Sequence, residues 1–297
     1  MDATKMNKRE CYKNGNFEGE RALFFLSSCD IENCLFHDGE SPLKEGRDLN
    51  VNKCTFQWKY PLWYGENHIV KECVFLETAR SGIWYTHNSE FIDCEFKAVK
   101  YFRRCHDIKI IRGEFLDAQE TLWSCRNVFI KDSTFKGDYL LKDSIGITLE
   151  NVRLDGNYLL DGGKDIYIKG CLLNSKDAFW NSQNVLIEDS TIIGEYFGWN
   201  AKNVTLRRCK IVSNQGFCYM DNVVIEDCYL EGTTLSFEYS SGKAKVLDVI
   251  DSVKNPSNLK LICKGIKELI INDDKRDEQI GEFRYTYDVN KEFDDEF

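Results

Sequence analysis

The sequence lacks any surplus of basic charge: 39 lysines and arginines face 49 aspartates and glutamates, for a net charge of −10. Broad binding to a phosphate backbone needs the opposite sign, so nucleic acid is excluded as a general partner. Also missing is any apolar run near the ~20 residues that span a bilayer, and no membrane partner is expected. Met1–Glu10 is polar and has none of the apolar core of a secretory signal. Among the thirteen cysteines no two stand in a Cys-x-x-Cys spacing. The usual ligand sets of zinc and iron–sulfur centres are therefore absent, and neither metal nor cofactor is expected. An odd cysteine count in a long chain with no export signal reads as reduced thiols in a cytoplasmic protein.

What is present is a repeat. Gly15, Cys34, Cys54, Cys73, Cys94, Gly113, Ser133, Val152, Cys171, Ser190, Cys209 and Cys228 are separated by 19 to 21 residues, and by 19 in each of the last five steps. Two residues after each marker comes Phe17, Phe36, Phe56, Phe75, Phe96, Phe115 or Phe135, then Leu154, Leu173, Ile192, Ile211 and Leu230. Three residues before it come Ile31, Val51, Val70, Phe91, Ile110, Ile130, Leu149, Ile168, Ile187, Leu206 and Ile225. Inward positions two apart mark short strands, and no 3.6-residue period runs inside the unit. Six residues before the marker stand Asn67, Asn88, Asp107, Asn127, Gly146, Asp165, Asn184, Asn203 and Asn222. These types tolerate the left-handed backbone of a tight turn. The period resembles a leucine-rich repeat, whose own Leu and Asn spacing is missing.

The pattern predicts an all-β fold: a single-stranded right-handed parallel β-helix of about twelve coils, each with three short strands. Its expected extent is residues 11–271, including a C-terminal cap, with an acidic tail over 272–297. Right-handedness follows the general sense of parallel crossovers. Apolar residues between Lys243 and Val253 suggest a short helix or irregular cap, and Leu259 to Ile271 one or two further strands. The marker cysteines fill a small inward site where Gly, Ser and Val substitute, so they are core residues rather than ligands.

One side of the coil differs. Ten residues before the marker stand Trp63, Trp84, Arg103, Trp123, Lys142, Asp161, Trp180 and Trp199, which include five of the six tryptophans. Around them lie Lys59, Arg80, Lys100, Arg104, Glu120, Tyr139, Tyr158, Asp177 and Glu195. Aromatic rings stack on pyranose faces, and convergent charges fix hydroxyls or carboxylates. Trp63, Trp84, Trp123, Trp180, Trp199, Lys59, Arg80, Lys100, Tyr139, Tyr158 and Glu195 are thus candidate binding residues for a saccharide or other polyhydroxylated ligand. Glu120, Asp177, Arg103 and Arg104 are the candidate catalytic groups, the carboxylates as acid or base with a cation nearby. Cations dominate the N-terminal half of this side and carboxylates the C-terminal half, so the basic half calls for an anionic partner. Glu120 and Asp177 lie about three coils apart, roughly 14 Å, too far for a glycosidase pair. Asp177 and Glu195 are adjacent. The alternative is a scaffold without enzymatic activity, docking a protein or a second copy of the chain through the same side, since outward aromatics in register also stabilise a ladder by themselves. His68, His87 and His106 read as turn residues.

Several strings carry a family resemblance: GESPLKE at Gly39–Glu45, KYPLWY at Lys59–Tyr64, ETLW at Glu120–Trp123, SKDAFWN at Ser175–Asn181, GEYFGW at Gly194–Trp199 and FEY at Phe237–Tyr239. From about Asn14 to Ile271 the chain resembles a bacterial family filed as domain of unknown function 3737, similar to the pectin-lyase-like β-helices. The resemblance implies the fold and no established activity. The hydrogenase label sometimes attached to such proteins lacks its cysteine pairs here. The Gly-His-Gly string of polygalacturonase-like hydrolases is absent, as are the clustered calcium carboxylates of a pectate lyase.

Overall fold

The structure is a computed structural model describing residues 9–272 and 282–293. It has two compact units, residues 1–129 and 130–297. Both are built from parallel strands, and no helix occurs among the described residues.

Each coil of the first unit carries one longer and one two-residue strand. The longer strands are Ser27–Glu32, Arg47–Asn52, Ile69–Lys71, His87–Ile92 and His106–Ile111, each paired in parallel with the next. The short strands end in the phenylalanine column, which is stacked from Phe17 to Phe115 at centroid separations of 5.1, 4.8, 4.8, 4.8 and 4.3 Å. Burying one such ring in a close-packed interior contributes roughly 1.5–3 kcal/mol. The second unit repeats the plan with Ile145–Glu150, Lys164–Lys169, Gln183–Glu188 and Lys202–Arg207 beside three-residue strands. Each unit is thus a parallel β-helix, wound in the right-handed sense that governs parallel crossovers.

The Asn column forms the expected corner. Asn67, Asn88, Asp107, Asn127, Asp165, Asn184, Asn203 and Asn222 all have positive φ. The Nδ2 group of Asn88 donates to Asn67, that of Asn203 to Asn184 and that of Asn222 to Asn203, at 2.6, 3.1 and 3.0 Å. The marker thiols do more than fill space. The Sγ of Cys54 accepts the backbone N–H of Cys34, and that of Cys73 the N–H of Cys54, both at 3.4 Å. Ser190 Oγ accepts the N–H of Cys171 at 3.0 Å in the same way. These marker side chains thereby satisfy inward backbone donors of the preceding coil, which otherwise stay unpaired.

Two expectations are corrected. Each coil has two strands rather than three, because every second residue of the aromatic side is left-handed: Tyr139, Leu141 and Asp143 have φ of 59, 62 and 54°. Strict alternation fails there, so neighbours such as Leu140 and Leu141 both point inward. The stretch expected to be a short helix or irregular cap is instead the strands Gly242–Val246 and Val249–Lys254. Two further strands follow, Leu259–Ile262 and Gly265–Ile270. Within the span expected to be tail, Phe283–Thr286 pairs in parallel with Leu259–Ile262. Residues 273–281 and 294–297 of that tail lie outside the described residues.

Candidate functional site

In the first unit the left-handed turns set the aromatic column one coil apart, so its side chains lie on one another. The rings of Trp63 and Trp84 stack at 5.2 Å with an interplanar angle of 10°. Arg103 follows, its guanidinium 5.0 Å from the Trp84 ring centre and 4.5 Å from that of Trp123. The indole N–H groups of Trp63 and Trp84 donate to the carbonyls of Ser81 and Lys100, at 2.5 and 2.8 Å. A parallel stack joins Tyr64 and Tyr85 at 4.7 Å. All three tryptophans are half-buried, in contrast to the enclosed phenylalanines.

The cations of this side already have partners. Arg103 Nη2 donates to Glu120 Oε2 at 2.5 Å, and Lys100 Nζ lies 3.2 Å from the same oxygen. Lys59 pairs with Glu40 at 3.1 Å. Glu120 and Glu40 therefore offset part of the positive charge of the basic half. Arg80 and Arg104 are exceptions, exposed and without a carboxylate partner among the described residues. Arg104 lines a groove of about 180 Å³ with Trp84, Tyr85, Arg103, Trp123 and Ser124. Tyr85 is shared with a neighbouring groove of about 470 Å³ that Lys44, Arg47, Tyr64, Glu66 and His87 also line.

The histidines depart from the turn reading. His68 points into the core beneath Gly46 and Gly65, where a Cβ on Gly65 would meet its Nε2 at 2.2 Å. Neither ring nitrogen has a partner, and burial pushes its pKa down to about 4. His87 and His106 stack at 3.6 Å.

In the second unit Trp180 and Trp199 stack at 5.7 Å, and Tyr139 and Tyr158 at 4.5 Å. The indole of Trp180 donates to the carbonyl of Tyr196 at 2.9 Å. Lys142 pairs with Asp161, and Lys176 with Glu195 at 3.4 Å. Asp177 is only 3% exposed. Its Oδ1 has no hydrogen-bond partner. Burial raises its pKa, which the Lys176 ammonium and a hydrogen bond from Tyr158 oppose and the charge of Glu195 reinforces. Two residues outside the predicted set extend this aromatic run: Tyr219 packs edge-on to Trp199 at 5.4 Å and lies 5.6 Å from Tyr239. A search down the tryptophan column passes them over because Cys218 occupies that column. Among the described residues no cluster of three or more His, Cys, Asp or Glu side chains can hold a metal ion.

These features define a repetitive β-helix protein with an aromatic, charge-laddered side. Residues 10–283 match the family described as protein of unknown function (DUF3737), and the chain belongs to that family. No curated protein matches it. Similar solved structures include PfbA, a surface adhesin of Streptococcus pneumoniae, at 11% identity and a TM-score of 0.42, covering 79% of this chain and 75% of that one. A tailspike protein of E. coli bacteriophage HK620 has 10% identity and a TM-score of 0.40, covering 93% and 70%. The A-module of Azotobacter vinelandii mannuronan C-5 epimerase AlgE4 has 8% identity and a TM-score of 0.32, covering 94% and 87%. These are likenesses of fold alone.

Proposed function

We propose that the first unit binds an acidic saccharide in the groove lined by Trp84, Tyr85, Arg103, Arg104 and Trp123. The observation that carries this reading is Arg104, an exposed guanidinium that lines one groove with Trp84, Tyr85 and Trp123 and has no carboxylate of its own among the described residues. A planar guanidinium takes a carboxylate or sulfate bidentately, and aromatic rings lining the same groove suit the C–H surface of a sugar. Arg103 and Glu120 are tied to each other, so they shape the groove and Arg104 meets the ligand. Calorimetric titration with oligogalacturonate, alginate oligomers and neutral cello-oligosaccharides tests this. The acidic sugars should bind, weaken with salt and lose about tenfold or more in affinity in Arg104→Gln, as expected for a charge-assisted hydrogen bond. Equal binding of neutral and acidic sugars, or no binding by either, overturns the reading.

A second reading has its own support. The indole faces stack on neighbouring side chains, and the N–H groups of Trp63, Trp84, Trp180 and Trp199 are satisfied by backbone, as in a ladder whose purpose is rigidity. On that reading the side docks a second copy of the chain, and sedimentation of wild type against Arg104→Gln, rather than sugar titration, registers the loss.

A further inference from the structure

We infer that a groove over the short strands of the second unit binds a free apolar α-amino acid, with its carboxylate on Arg153 and its ammonium on Asn151. The inference is independent of the saccharide reading and concerns a different unit.

The residue before each marker has positive φ, and in the second unit the side chains of this column bond from coil to coil. Asn151 Nδ2 donates to Asp132 Oδ1 at 3.0 Å, and Arg208 Nε to Asp189 Oδ1 at 2.7 Å. Between these pairs Gly170, with φ of 66°, leaves the column one side chain short. Asn151 Oδ1 leans into the vacated space, 2.7 Å from where a Cβ on Gly170 would lie. Among the described residues no protein donor reaches that oxygen. An Asn at this position would supply one, as Asn33 does for Asn14 at 2.6 Å.

The gap lies in a groove of about 580 Å³ lined by Asp132, Thr134, Asn151, Arg153, Gly170 and Thr191, among others. A second groove of about 370 Å³ shares Thr134, Arg153 and Leu172 with the first and reaches Ile193. These volumes are those of small-molecule sites. Arg208 occupies both oxygens of Asp189. Asp132 and Arg153 are exposed, and neither has a partner of opposite charge among the described residues. Leu172 and Ile193 are 43% and 39% exposed on the outer side of their strands.

One unpaired guanidinium, one unpaired carboxylate, an open amide oxygen and an aliphatic strip thus border one continuous hollow. A zwitterion with an apolar side chain complements all four. Its carboxylate takes the Arg153 fork, its ammonium donates to Asn151 Oδ1 in the field of Asp132, and its side chain covers Leu172 and Ile193. The opposite charges and the aliphatic rather than aromatic surface favour such a ligand over a sugar.

Calorimetric titration with leucine and phenylalanine tests this, against glycine, leucine amide and N-acetyl-leucine. The first two should bind with a Kd of about 1 mM or tighter. The other three, each lacking one of the matched groups, should bind at least tenfold more weakly. Arg153→Gln should weaken leucine about tenfold or more, and Gly170→Asn, which fills the gap, should do the same. Asn tolerates positive φ here as Asn151 does, so the Gly170→Asn variant should melt no lower than wild type. Absence of leucine binding, glycine or N-acetyl-leucine binding as well as leucine, or unchanged affinity in a folded Gly170→Asn variant overturns the proposal.

Discussion

Arg103 reaches across one coil to Glu120, its Nη2 2.5 Å from the carboxylate Oε2, with both side chains about one-quarter exposed. At that exposure solvent still screens the pair, and its guanidinium also lies against two indoles. A double-mutant cycle over Arg103→Met and Glu120→Gln should return a coupling of about 1 kcal/mol in urea unfolding. A coupling indistinguishable from zero would mean that the aromatic packing alone holds Arg103.

His68 makes the first unit acid-sensitive. Its folded-state pKa, near 4, lies below the ordinary value of 6.5. Between those values the unfolded chain binds the proton and the folded chain does not, so stability falls as pH drops through that window. The full loss is about 3 kcal/mol, complete near pH 4. Unfolding midpoints from pH 7 to 4 should fall in wild type and lie flatter in His68→Leu. Parallel curves for the two proteins would refute the assignment.

Asp177 acts with the opposite sign. Its folded-state pKa is raised from 3.8, so the folded form holds its proton longer and stability is lost as pH rises from that value through the folded one. At pH 7 Asp177→Asn should melt higher than wild type, with the advantage shrinking in acid. A variant that melts lower at every pH would show that the carboxylate is held by interactions stronger than its burial penalty.

Of the thirteen cysteines, all free, only Cys11 is exposed. Iodoacetamide should label one thiol in the native protein and thirteen in guanidinium, counted by intact mass. Because the Cys73 sulfur accepts the Cys54 N–H, Cys73→Ser should cost less stability than Cys73→Ala, which leaves that donor unpaired at about 1–3 kcal/mol. Equal losses in the two variants would reduce the column to simple packing.

The coils were legible because burial repeats at fixed spacing: Phe36, Phe56 and Phe75, or Val51 and Val70, can only be columns. The aromatic side was less so. Tyr139 and Phe179 adopt positive φ although their residue types give no hint of it, since hydrogen bonds between coils hold them there. Ion pairs such as Lys142–Asp161 join residues 19 apart, and a pass along the chain sees unlike charges where the fold has neutral pairs. The short helix or irregular cap expected near Val246 arose because Val246, Val249, Ile250 and Val253 are spaced by three and four. The structure uses that spacing for two strands separated by Leu247 and Asp248. His68 looked like a turn residue because it follows Asn67. The inward position it occupies is shared by Leu49 and Ile108, and that column was the signal that could have found it.

The hydrogen-bonded Asn corner has an evolutionary consequence. Corner side chains bond to their counterparts one coil earlier and later, so the chain behaves like a text read in frames of nineteen. Loss or gain of one whole frame, such as residues 164–182, leaves Asn184 facing Gly146 in the role Asp165 now fills. Loss of eighteen throws every later column out of step. Proteins of this kind can therefore change length by duplicating or dropping entire coils while each surviving coil keeps its neighbours' chemistry, and an aromatic face can be lengthened without being redesigned.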